Sequence, residues 1–113
     1  MSPITTHVLD TALGRPASGL AVELEKLGTR GRFRRLARGV TDANGRVVDL
    51  LPAGGLKRGV YRLTFAVAAY FRRSRVRGFY PSVSVLFEVR DPRQHHHVPL
   101  LLSPFGYSTY RGS

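Results

Sequence analysis

Residues 97–113 read HVPLLLSPFGYSTYRGS, a Leu-rich run, a Ser-Pro-Phe-Gly turn and a second short run. Two runs of this kind around turn residues are typical of a β-hairpin. The segment predicts a strand over about 95–102, a turn at 103–106 and a last strand over 107–111. A chain end usually varies freely, but Tyr110 to Ser113 close this block with no polar tail, so we expect them to be held in a folded site.

The rest of the chain repeats this pattern of short strands separated by turns. Asn44-Gly45 predicts a type I′ hairpin with Arg46 at the mouth of the return strand. Residues 14–17 predict a turn, and residues 66–73 predict a short helix. The remaining predicted strands cover residues 5–10, 20–27, 33–41, 46–50, 59–66 and 82–89. Together these elements predict an all-β fold, a β-sandwich of about eight strands in two sheets with one short helix.

Length and composition predict a single domain over residues 1–113, because 113 residues suffice for one hydrophobic core but not two. The chain has no cysteine, which excludes disulfides, thiolate metal sites and a cysteine nucleophile. No signal peptide is visible at residues 1–7, and no apolar segment approaches the ~18–20 residues that span a bilayer. We therefore expect a soluble, cytoplasmic protein with no membrane partner.

The formal net charge of +11 comes largely from two arginine clusters, at residues 30–38 and 72–77. Arginines beside aromatic residues such as Phe33 and Phe71 resemble a platform for single-stranded nucleic acid. Neither cluster carries the signature of a nucleic-acid-binding fold, and solvated basic faces are common on soluble domains. We therefore favour the solvated-face interpretation and expect no specific nucleic-acid partner.

Strand alternation predicts which polar side chains can meet. His7 lies on one face of the first strand, His97 on one face of the seventh and Tyr110 on one face of the last. If these strands share a sheet, the three side chains can project from the same side, with Arg46 entering from the edge. Two imidazoles, a phenol and a guanidinium on one surface can supply acid/base and electrostatic chemistry.

The histidine triplet at 95–97 is a weaker candidate for a metal site. Alternation prevents three consecutive strand residues from holding one ion, and a His95–His97 pair would need further ligands where the local sequence offers only Asp91. We therefore expect no metal, and we expect His96, on the opposite face, to be structural or half-exposed.

Several of these segments together resemble the transthyretin-related family, and more closely its enzymatic branch, the 5-hydroxyisourate hydrolases. The matching residues are the stretches 7–10 (HVLD) and 14–17 (GRPA), then Gly45-Arg46, then 97–104 and 107–113. The hormone-carrying transthyretins share the Leu-Ser-Pro and Tyr-Ser-Thr elements but differ at the two histidines, at the arginine and at the C-terminal tetrapeptide. This chain departs from the hydrolase pattern at His96, where Tyr is usual, and at Ser82, where Glu is common.

The resemblance implies a transthyretin-like β-sandwich that hydrolyses the ring amide of 5-hydroxyisourate to 2-oxo-4-hydroxy-4-carboxy-5-ureidoimidazoline, in urate catabolism and without a cofactor. It implies His7, Arg46 and His97 as catalytic residues, with one imidazole activating water and the arginine stabilising the oxyanion. Which histidine is the base stays open. The residues that it implies for substrate binding are Tyr110, Arg111, Gly112 and Ser113.

A flat sheet face makes a poor pocket for a small molecule. The resemblance implies that a homotetramer, a dimer of dimers, encloses the site in a channel that contains the C-terminal residues, so that a C-terminal tag abolishes turnover. The alternatives are a non-catalytic transthyretin-like carrier of an apolar ligand, disfavoured because four polar groups are costly to desolvate, and the basic nucleic-acid-binding domain.

Overall fold

The computed structural model describes residues 2–113, which form nine strands, one α-helix and one short 3-10 turn. The 3-10 turn spans Thr29–Gly31. The strands and the helix are β1 (Ile4–Asp10), β2 (Arg15–Pro16), β3 (Ala21–Leu27), β4 (Phe33–Val40), β5 (Arg46–Val47), β6 (Gly59–Phe65), α1 (Val67–Arg73), β7 (Val83–Val89), β8 (His96–Ser103) and β9 (Gly106–Thr109).

The strands form two sheets. One sheet has the order β2-β1-β8-β9, with β5 also pairing with β1, and the other has the order β4-β3-β6-β7. The central pair β1 and β8 is parallel, and the other pairs are antiparallel. The predicted all-β sandwich with one short helix is therefore confirmed. Within residues 2–113, no helix is both long and apolar enough to cross a bilayer.

The core lies between the two sheets and is built by alternation along each strand. Ile4 and Val8 of β1 and Leu100 and Leu102 of β8 are completely buried. They pack in one cluster with large side chains from the second sheet, among them Leu24, Tyr61, Leu63 and Phe65. Each such side chain contributes about 1.5–3 kcal/mol when it leaves water. The opposite face of the β1–β8 pair lies outside this hydrophobic core.

Helix α1 is anchored to the end of β1 through a buried carboxylate. Tyr70 donates its hydroxyl to Oδ2 of Asp10 at 2.8 Å. The other oxygen of Asp10 accepts from the backbone N–H groups of Ala12 and Leu13, both at 3.1 Å. Burial, and then the hydrogen bond to the Asp10 carboxylate, raise the pKa of Tyr70 to about 12. The phenol therefore stays protonated and holds the helix against the sheet.

The prediction of a type I′ turn at Asn44-Gly45 is wrong. Of these two residues only Gly45 has a positive φ, 76°, whereas a type I′ turn needs two. The carboxylate of Asp42 instead accepts the N–H groups of Asn44 and Arg46, at 2.9 and 3.0 Å. These hydrogen bonds satisfy the two N–H groups as the chain leaves β4. Strand β5 then pairs with β1 in the other sheet.

Other boundaries differ by a few residues. The predicted turn at 14–17 contains the two-residue strand β2, paired with the end of β1, which brings the number of strands to nine. Strand β5 ends at Val47 rather than at residue 50. Strand β8 begins at His96, one residue late, and β9 ends at Thr109, two residues early. Beyond β9 an isolated bridge joins His97 to Gly112, so the C-terminal segment continues along β8.

Candidate active site

The outer face of the β1–β8 pair brings together the polar side chains of three strands. The parallel register places Thr5 opposite His97. The antiparallel register of β1 with β5 places His7 opposite Arg46. Directly paired residues share a face of the sheet. Because Ile4 faces the core, its neighbour Thr5 and then His7 project from the other side. Sheet register alone thus gathers His7, Arg46 and His97.

His97 is half-buried at the centre of this face. Oγ1 of Thr5 lies 2.8 Å from its Nδ1 atom. Burial lowers the pKa of His97, and the charges of His95, His7 and Arg46 lower it further, while a backbone hydrogen bond with Thr5 acts in the opposite direction. An imidazole with a lowered pKa is neutral near pH 7, the form that can accept a proton.

Arg46 begins β5 and is exposed at the rim of the face. Its backbone N–H is the largest cause of the lowered pKa of Asp42, and the Arg46 and His7 charges act in the same sense. Asp42 is therefore an anion that fixes the start of β5. Among the salt bridges of residues 2–113, none involves Arg46, so its guanidinium is available to an anionic or carbonyl oxygen.

Gly112 links the C-terminal segment to His97. Its N–H donates to the carbonyl of His97 at 2.8 Å. A Cβ atom at this position would lie 2.6 Å from Cδ2 of the His97 ring, so only glycine allows the backbone to lie against the imidazole. Ser113 follows and is exposed. The structure therefore brings Gly112 to the candidate site.

The other two residues of the C-terminal tetrapeptide lie differently. Nη2 of Arg111 donates to Oε1 of Gln94 at 3.2 Å and to the carbonyl of His95 at 3.3 Å, which ties it to the segment before β8. Tyr110 is 57% exposed and borders a cavity of about 320 Å³ beside Phe87 of β7. Within the described part of the chain, no hydrogen bond or ring contact joins Tyr110 to His7 or His97.

Two neighbours of His97 were not among the residues predicted for the site. Thr5 is buried, 7% exposed, and its hydroxyl oxygen also lies 3.0 Å from Nε2 of His95. The rings of His95 and His97 are nearly parallel, with centroids 6.2 Å apart. The signal for Thr5 was present in the sequence, because alternation puts it on the face of His7. Its contact with two imidazoles depends on the parallel register, which local sequence does not fix.

His96 faces the opposite way, as alternation predicts. It is 5% exposed, and its Nδ1 donates to the carbonyl of Gln94 at 2.9 Å. Burial is the main cause of its lowered pKa. Within residues 2–113, no group of three histidine, aspartate or glutamate side chains is placed to hold a metal ion.

Comparison with known proteins places this chain in a family. The profile described as Transthyretin, HIUase/Transthyretin family, matches residues 4–112. The chain is 49% identical to 5-hydroxyisourate hydrolase 2 of Rhizobium meliloti, over 97% of this chain and 95% of the relative. It is 44% identical to the 5-hydroxyisourate hydrolase of Mus musculus, over 99% of this chain and 96% of the relative.

Solved structures share the fold across both branches. The crystal structure of sea bream transthyretin in complex with thyroxine matches with a TM-score of 0.94 and 31% identity, over 98% of this chain and 95% of that one. The 5-hydroxyisourate hydrolase of Klebsiella pneumoniae matches with a TM-score of 0.84 and 37% identity, over 97% and 98%. The profile match and these identities show that the chain belongs to the HIUase/Transthyretin family.

Proposed function

We propose that this chain is a 5-hydroxyisourate hydrolase and that the outer face of β1, β5 and β8 is its catalytic surface. Relatives named for this activity are 41–49% identical over 97% or more of the chain. The observation that carries the proposal is the sheet register, which places the half-buried His97 opposite Thr5 and His7 opposite Arg46 on one face. The reaction opens the ring amide of 5-hydroxyisourate, a product of urate oxidation.

Water activation is the role we assign to an imidazole. A base must be unprotonated before it takes a proton from water, and the lowered pKa of His97 keeps it so at neutral pH. We therefore assign His97 as the base and His7, opposite Arg46, as the residue that orients the substrate or protonates the leaving nitrogen. The water oxygen bonds to the ring carbonyl carbon, the C–N bond breaks, and the departing nitrogen gains a proton. This chemistry needs no cofactor.

Oxyanion stabilisation is the role we assign to Arg46. Attack on the carbonyl puts negative charge on its oxygen, and a guanidinium with two parallel donors can bind that charge as it develops. The absence of a salt-bridge partner for Arg46 in residues 2–113 supports this assignment. For substrate binding we keep Tyr110, Arg111, Gly112 and Ser113, of which Gly112 lies against His97.

Enclosure of the site is the role we assign to assembly. An open sheet face exposes a small ligand and the attacking water to bulk solvent, whereas catalytic pockets are concave. We propose a homotetramer in which the outer faces of facing subunits form a channel; light scattering after size exclusion tests it. The cytoplasm stays the proposed compartment.

A carrier is the second candidate, because the TM-score of 0.94 to a thyroxine-bound transthyretin shows that the fold alone accommodates that function. The outer face argues against it here. Two imidazoles and a guanidinium would have to be desolvated beneath an apolar ligand, which costs free energy unless each finds a partner.

The test is the ultraviolet absorbance decay of freshly generated 5-hydroxyisourate, with and without the protein. Accelerated decay that is first order in protein supports the hydrolase. Decay at the uncatalysed rate at micromolar protein contradicts it, and saturable thyroxine binding in the same preparation would then favour the carrier.

A further inference from the structure

We propose that Thr5 and His95 are positioning residues that hold His97 in the Nδ1–H tautomer, which leaves its Nε2 atom free to accept a proton. The expected changes in kcat rest on the proposed function, whereas the tautomer itself does not. The geometry behind it is the placement of one hydroxyl between two imidazoles, 2.8 Å from Nδ1 of His97 and 3.0 Å from Nε2 of His95.

The hydroxyl of Thr5 couples the proton positions of the two rings. A threonine hydroxyl has one hydrogen to donate and lone pairs to accept with. If it donates to Nε2 of His95, it is free to accept from Nδ1–H of His97, and Nε2 of His97 then keeps its lone pair. If it donates to His97 instead, the proton of His97 moves to Nε2, and this imidazole can no longer act as a base there.

Two further contacts keep His95 in position to accept from the hydroxyl. Arg111 donates to the backbone carbonyl of His95 at 3.3 Å. The near-parallel rings, 19° apart, keep Nε2 of His95 within reach of the hydroxyl.

Local charges complete the environment of His97. The groups that act on it are His95, just before its own strand, His7 from β1 and Arg46 from β5, and all three lower its pKa. None of them is a carboxylate that could orient the ring as an aspartate orients the histidine of a catalytic triad. Thr5 and His95 occupy the orienting position instead.

Imidazole nitrogen NMR of the full-length protein tests the tautomer directly, without any turnover. The His97 signals are assigned by their loss in His97→Gln. We expect the Nδ1–H form in the wild type and in Thr6→Val, and a gain of the Nε2–H form in Thr5→Val. Thr6 is the matched control, since it is the next residue, is buried and donates to Val98 on the other face. Predominant Nε2–H at His97 in the wild type overturns the proposal.

Kinetics separate the role of the hydroxyl from packing of the threonine methyl group. Thr5→Val should lower kcat about 10- to 100-fold, the size seen when the hydrogen-bond partner that orients a metal-bound imidazole is removed, with little change in KM. Thr5→Ser restores the hydroxyl and should recover most of the loss. His95→Gln, whose amide oxygen still accepts, should exceed His95→Ala in kcat. Equal kcat in Thr5→Val and wild type, or Thr5→Ser as impaired as Thr5→Val, overturns the inference. An inactive wild type would instead refute the proposed function, and the tautomer would still be decided by NMR.

Discussion

The two faces of the β1–β8 pair use the same residue types for opposite purposes. On the inner face, Thr6 donates to the carbonyl of Val98 at 2.6 Å, and His96 is buried and donates to the backbone. On the outer face, Thr5 meets two imidazoles, and His97 lies half-buried with His95, His7 and Arg46 around it. Adjacent threonines and adjacent histidines thus differ only in the direction that alternation gives them.

Position in the pleat therefore decides whether a polar side chain stabilises the fold or is available for chemistry. Inner-face groups are fully paired, and within residues 2–113 no buried side-chain polar atom lacks a partner. On the outer face, the guanidinium N–H groups of Arg46 form no salt bridge within residues 2–113. Substitutions on the two faces should therefore separate loss of activity from loss of stability.

Removing an outer-face imidazole should abolish most activity while sparing the fold. We expect His7→Ala to lower kcat/KM about 10²- to 10⁴-fold, because acid/base groups contribute on this scale. The unfolding midpoint in urea should stay near that of the wild type, since His7 is only half-buried and faces away from the core. Steady-state kinetics and urea unfolding on the same preparation measure both. A loss of activity accompanied by a similar loss of stability would contradict the separate roles of the two faces.

Truncating an inner-face side chain should do the reverse. Leu100 is completely buried in β8 and lies opposite Val8 of β1. We expect Leu100→Ala to lower the free energy of unfolding by about 2–5 kcal/mol, through lost transfer free energy and the cavity left behind. Urea unfolding followed by circular dichroism measures it. Leu86→Ala, at a side chain that is 63% exposed, is the matched control and should change stability little. Similar losses for the two variants would contradict the assignment of the core.

Loss of the helix anchor should have a smaller effect. Tyr70→Phe keeps the ring but removes the 2.8 Å hydrogen bond to the Asp10 carboxylate. Because hydrogen bonds to charged groups contribute more than neutral ones, we expect a loss of about 1.5–3 kcal/mol in the free energy of unfolding. Tyr107→Phe, at an exposed tyrosine, serves as the control. No difference between the two variants would show that Asp10 is satisfied by its backbone donors alone.

The pH dependence of stability should be the mildest effect. The pKa values of His96 and His97 are both lowered in the folded state, so the unfolded chain binds more protons as pH falls through the ordinary histidine range. The free energy of unfolding should therefore decrease below about pH 6.5, until pH passes the folded-state pKa values. His96→Gln should flatten this decrease. Urea unfolding at several pH values checks it, and an increase in stability on acidification would have the wrong sign.

The fold followed from sequence where local signals agreed with tertiary contacts. Alternation placed His7 and His97 on one face and His96 on the other, and the helix over residues 66–73 was predicted within one residue. These features depend on the period of side-chain burial, which each strand carries in its own residues.

Sequence failed where a distant partner decided the outcome. Asn44-Gly45 carries a strong hairpin signal and the backbone does turn there, but the turn is not type I′ and β5 pairs with β1. Strand-pairing partners are set by packing of the whole sandwich, which a dipeptide does not encode. Thr5 was missed in the same way, because its contact with two histidines exists only in the parallel register with β8.

Two adjacent histidines on opposite faces of β8 give the sharpest test of catalysis by the outer face. His97→Gln and His96→Gln are assayed for the decay of freshly generated 5-hydroxyisourate, with rates expressed per folded molecule. We expect His97→Gln to lose about a hundredfold or more in rate, as is usual for a catalytic base, while His96→Gln stays close to the wild type. Equal losses in the two variants, or a larger loss in His96→Gln, would contradict the assignment of chemistry to the outer face.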